Sequence, residues 1–146
     1  MADFFDALDV SASALSAERM RMNTTSSNLA NAQTTRTPEG GPYRRKDVVF
    51  EAQPTREFAS VLDGHMDVAM HKVHVADVVS DLGAPKMVND PHHPDANEEG
   101  YVAYPNVNTM EEMVNLITAS RTYEANVTAI NVTRNMMNKA LEIGRR

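Results

Sequence analysis

The feature that most limits the fold of this chain is a seven-residue repeat found at both ends and absent between them. Near the N-terminus Leu8, Leu15, Met22 and Leu29 recur with that spacing, and Phe5, Ala12, Arg19 and Ser26 stand three residues before them as a second seam position. Near the C-terminus Met113, Leu116, Ser120, Tyr123, Val127, Ile130, Arg134, Met137 and Leu141 follow one another in alternating steps of three and four. Such spacing lines one side of an α-helix and directs it against a second helix. Neither stripe can be buried by its own helix. The two ends therefore read as a coiled-coil-like pair, with polar positions along the seam.

The helix boundaries follow from local chemistry. Asp3 suits the N-cap of the first helix, and Asp6 and Asp9 suit its positive dipole end. From Asn23 to Asn28 the sequence turns to Asn, Thr and Ser, whose side chains compete for backbone hydrogen bonds. That segment is not expected to be stable as an isolated helix. The second helix opens at Asn108, followed by Glu111 in a capping-box arrangement, and stops near Gly144, with Arg145 and Arg146 at the negative end. Its ~35 residues would span roughly 50 Å.

Two breakers divide the chain. Pro38-Glu39-Gly40-Gly41-Pro42 is the first, and the proline-rich stretch from Asp90-Pro91 to Tyr104-Pro105 is the second. The expected organisation is an N-terminal helix over 1–37, a small β-rich middle with an extended loop over 38–105, and a C-terminal helix over 106–146. Strands are expected at Tyr43–Ala52, Phe58–Leu62, His71–Val79 and Gly100–Tyr104. The fold class is α+β.

Charge and composition remove several functions. The net charge of −6 lies in the middle, where residues 39–99 hold twelve acidic and six basic side chains. Nothing basic is available to track a phosphate backbone. There is no cysteine, which excludes disulfides and thiolate metal sites. The start, Met1 to Asp6, lacks the basic and apolar parts of a secretory signal, and no apolar run is long enough to cross a membrane. His65, His71, His74, His92 and His93 lie among aspartates but without ligand spacing, so they read as surface and turn residues. No nucleophile elbow or phosphate-cradling glycine loop occurs. The chain reads as a non-enzyme without a cofactor. Ten methionines suit helix seams that adapt to several neighbours.

Three segments carry a resemblance. Ser26-Ser27-Asn28-Leu29-Ala30-Asn31-Ala32-Gln33-Thr34 is similar to the N-terminal signature of the flagellar axial proteins of rod and hook. Tyr104 to Asn108, Glu111 to Val114 and Ala119 to Val127 resemble the C-terminal signature of the proximal-rod members, and Asp90 to Ala96 with Gly100-Tyr101-Val102 fits them too. The resemblance implies a structural subunit, exported from the cytoplasm through the flagellar type III apparatus without a cleaved signal. Such subunits polymerise through their terminal helices into the torque-transmitting rod that crosses the periplasm. It implies as partners further copies of the chain, the rod proteins FlgB, FlgF and FlgG, and the adaptor FliE.

Seam and resemblance together give a candidate assembly interface. Its members are Leu8, Leu15, Met22, Asn28, Leu29, Asn31, Asn106, Asn108, Met113, Leu116, Arg121, Tyr123, Glu124, Asn126, Val127, Ile130, Met137 and Leu141. Within it Arg121 and Glu124, three residues apart, are spaced for a simple surface ion pair, and the resemblance favours an intersubunit pair beside Tyr123 instead. The alternative reading is a soluble adaptor or regulator whose ends form a coiled-coil homo-oligomer.

Overall fold

The computed structural model describes residues 2–54 and 71–144. Helix α1 runs from Ala2 to Ala30 and helix α2 from Thr109 to Gly144. Between them lie two antiparallel two-stranded sheets. Strand β1 (Lys46–Pro54) pairs with β2 (His71–Ser80), with a bulge at Val49/Phe50. Strand β3 (Lys86–Asn89) pairs with β4 (Tyr101–Tyr104). The expected strand at Phe58–Leu62 lies outside the described residues, as does His65. Strand β3 was not expected: four residues after a proline give too short an alternation to read.

Helix α1 is the hub. It packs against α2 and against both strands of the first sheet, whereas α2 packs on α1 and not on the strands. The helices are antiparallel, because Asn28 near the end of α1 meets Glu112 in the first turn of α2. The weak helix formers Asn23 to Asn28 stay helical because tertiary contacts override propensity: Thr25 and Asn28 are buried. Past Ala30 the helix is closed by Asn31 N–H donating to Ser27 O, and the Asn31 side chain donates to the same carbonyl at 2.9 Å. The first breaker then reverses the chain through Gly40 and Gly41, both at positive φ.

The seam matches the sequence reading in one column and differs in the other. Leu8, Leu15, Met22 and Leu29 are half-buried, as are Leu116, Tyr123, Ile130 and Met137. The second column lies one residue earlier than apolarity suggests. In α1 it is Ser11, Glu18 and Thr25, while Phe5, Ala12, Arg19 and Ser26 are exposed. In α2 it is Glu112, Ala119, Asn126 and Thr133, while Met113, Val127 and Arg134 are exposed. Small and polar residues let the helices approach closely, so the larger apolar side chains beside them turn outward.

Little of the chain is sealed. Ala17, Val102, Pro105, Val107 and Ala119 are the buried apolar residues among those described.

Candidate assembly surface

The structure brings the two terminal signature segments together in a polar node. Asn28, 1% exposed, lies at its centre. Its Nδ2 donates to Lys46 O at 2.8 Å and to Glu112 Oε2 at 3.0 Å, and its Oδ1 accepts from Lys46 N and from the Tyr43 hydroxyl. All four hydrogen-bonding positions of the amide are used inside the chain. Glu112, also 1% exposed, accepts from Arg45 Nε at 2.8 Å through its other oxygen. Arg45 reaches Asp47 with Nη1 at 3.1 Å, so one guanidinium bridges two carboxylates. Burial opposes the charge on Arg45, but the hydrogen bonds to Asp47 and Glu112, with the attraction of both carboxylates, outweigh it and raise its pKa.

A second set of bonds docks the first sheet along α1. Asp9 pairs with Lys72 at 2.7 Å, and the Ser13 hydroxyl accepts from Val73 N at 3.1 Å while donating to Val10 O. The loop after β3 docks on the chain leaving α1, where Asp95 accepts from Thr35 Oγ1 at 2.8 Å and lies near Arg36. Within that loop His93 Nδ1 accepts from Asp95 N and its ring meets Tyr104 edge-on. His71, His74 and His92 are exposed, and no group of three metal-ligating side chains gathers among the described residues.

The candidate interface residues fall into three groups. Asn28, Asn31 and Asn108 are engaged within the chain: Asn31 also accepts from Thr34 Oγ1, and Asn108 caps α2 by accepting from Met110 N. Leu8, Leu15, Met22, Leu29, Leu116, Tyr123, Asn126, Ile130 and Met137 are half-buried along the helix seam. Asn106, Met113, Arg121, Glu124, Val127 and Leu141 are exposed, and no ion pair joins Arg121 to Glu124. Four residues outside that set matter: Glu112, Arg45, Tyr43 and the buried Glu18, whose Oε2 has no hydrogen-bond partner among the described residues. The signal available for Glu112 was its place in the C-terminal signature. For Arg45 nothing distinguished it from Arg44.

In the first turns of α2 the outward side is apolar where a free helix would be polar. Met110, Val114 and Ile117 are 69%, 60% and 56% exposed, and the 3.6-residue period places them opposite the face that carries Glu112, Leu116 and Ala119, with Met113, 46% exposed, to one side. Val132, Met136, Leu141 and Ile143 are further exposed apolar residues toward the C-terminus, and the polar Arg121, Glu124 and Thr128 stand on the outward side between. Among the described residues no helix is long and apolar enough to cross a membrane.

Two families with known sequence patterns match. Residues 8–36 match the family described as "Flagella basal body rod protein", and residues 98–143 match "Flagellar basal body rod FlgEFG protein C-terminal". The two matches fall on the helix pair and include Asn28 and Glu112 of the node, which defines the chain as a flagellar rod protein. A "Flagellar basal-body rod protein FlgC" of Bacillus subtilis (strain 168) is 48% identical over 97% of this chain and 98% of its own length. Those of Borreliella burgdorferi and Salmonella typhimurium are each 40% identical, over 95% and 93% of this chain and 96% and 94% of theirs. The chain belongs to the FlgC family of flagellar basal-body rod proteins. It is a structural subunit of the rod and not an enzyme.

Proposed function

We propose that the chain builds the rod by packing α1 and α2 of many copies side by side, with the sheets outside. The observation that carries this reading is the apolar residues on two opposite sides of the first turns of α2, one side against α1 and the other without a partner among the described residues. A helix apolar on both sides is a buried helix. In this reading the subunit leaves the cytoplasm through the flagellar type III apparatus without a cleaved signal. It joins FlgB, FlgF, FlgG and FliE in the periplasm-spanning shaft that transmits torque. Arg121 and Glu124, exposed and unpaired with each other, find partners on neighbouring subunits.

The test is Ile117→Asp, alone and with Met113→Asp, in cells that lack the native protein. Swimming and rod assembly should be lost while the exported protein is still detected. Normal swimming with both substitutions would remove the outer side of α2 from the assembly.

A further inference from the structure

We infer that the Asn28–Glu112–Arg45 node is a joint that fixes the orientation of the β1–β2 sheet against the helix pair. The sheet lies along α1 and is pinned to it at two places. One is the pair of bonds from Asp9 to Lys72 and from Ser13 to Val73, close to the end of the sheet where Pro54 pairs with His71. The other is the node, at the end where Lys46 pairs with Ser80. Ser13 and Asn28 are about 22 Å apart along the helix at ~1.5 Å per residue. Lys46 and Ala52, the partner of Val73, are about 20 Å apart along the strand at ~3.4 Å per residue. The spans agree, so one pin permits pivoting and two forbid it.

The two pins differ in kind. The pin at Asp9 and Ser13 is half-exposed and involves α1 alone. The node is buried, and it ties α2 to the chain entering β1, although α2 packs on neither strand. Asn28 clamps both main-chain groups of Lys46, while the Arg45 guanidinium spans Glu112 on α2 and Asp47 on β1. A lysine carries the charge but lacks the planar fork needed to meet both carboxylates. Three elements thus meet at one set of directional bonds. On the proposed reading of α1 and α2 as the packed centre of the rod, this joint passes rotation of the centre to the sheet outside it.

The experiment uses the dilute full-length chain, so its outcome is separate from whether the helices mediate assembly. The chain has no cysteine, so two introduced cysteines are its only spin-label sites. One label goes on the exposed Asn131→Cys of α2, and the second on Val79→Cys near the node or on Gln53→Cys near the other pin. In the native background both distance distributions should be narrow. Glu112→Gln, and separately Arg45→Lys, should widen the Asn131–Val79 distribution at least twofold and the Asn131–Gln53 distribution less. Unchanged widths in both variants would overturn the joint, whatever happens to the melting temperature. Equal widening at both sites would also overturn it, because the helix pair itself would then have separated. So would failure of both variants to fold, since a joint that only sets an orientation is dispensable for the parts it joins.

Discussion

Asn28 Nδ2 donates to Glu112 Oε2 at 3.0 Å, across 84 residues of sequence. One residue comes from each terminal signature, and both are 1% exposed. A buried carboxylate is tolerable only when its lone pairs are met, and here Asn28 and Arg45 meet them. Between the two signatures the bond therefore acts inside the chain, setting how its ends are held together.

Removing the carboxylate should be costly. Glu112→Ala leaves Arg45 half-buried beside Asp47 alone and strands one Asn28 donor, for an expected loss of about 2–4 kcal/mol. Denaturant unfolding of the purified chain measures it, and a change under 0.5 kcal/mol would refute the assignment. Folding raises the Arg45 pKa, so its charge favours the folded state at every pH below that value, and the gain fades only in strong alkali. Arg45 itself should add no slope to stability across about pH 6 to 9.

The α1–sheet contact has its own reporter. Ser13 Oγ is the acceptor for Val73 N–H, so Ser13→Ala should cost about 1 kcal/mol and speed hydrogen exchange at the Val73 amide. Exchange at Val78, at the other end of β2, should change little. Equal acceleration at both amides would mean that the bond is not local.

How much of this was legible depends on the residue. The helix pair was readable because leucine and methionine every seven residues leave few alternatives, and Leu8, Leu15, Met22, Leu29, Leu116, Ile130 and Met137 all lie on the seam. The second column was misplaced because apolarity draws attention to Met113 and Val127, whereas close packing uses Glu112, Ala119 and Asn126. A buried glutamate is invisible to periodicity: its burial depends on Arg45 and Asn28, which only the tertiary fold brings to it. Strand β3 escaped for want of length, and Asn28 gave no local sign that its amide closes on Lys46 rather than on another subunit.

Glycine at position 100 answers to backbone geometry. Its φ is +78°, and a Cβ there would lie 3.1 Å from Pro91 Cγ. Gly100→Ala should cost about 1–2 kcal/mol or more. Gly41→Ala, at φ +76° with nothing within 4 Å of the added atom, should cost the conformational part only. Thermal unfolding of the two variants should rank them in that order, and the reverse order would mean that Pro91 yields freely.

Val127 and Ile130 separate what the helix pair needs from what assembly needs. Both belong to the candidate assembly interface read from the sequence. Within the chain Ile130 is half-buried on the seam, while Val127 is 36% exposed beside it. Ile130→Asp places a carboxylate against α1 and should lower the stability of the chain alone by about 2–4 kcal/mol. Val127→Asp should change that stability by only about 0.5 kcal/mol. In the assembled rod the two should behave alike, because a repeated penalty at each subunit contact blocks a continuous polymer. Glu142→Gln breaks only an exposed pair with Lys139 and should be silent in both measurements. Unfolding of the purified chain, run beside a swimming assay with detection of the exported protein, distinguishes the cases. If Val127→Asp cells swim normally, this side of α2 faces no neighbour and the packed surface is restricted to the side carrying Met110, Val114 and Ile117.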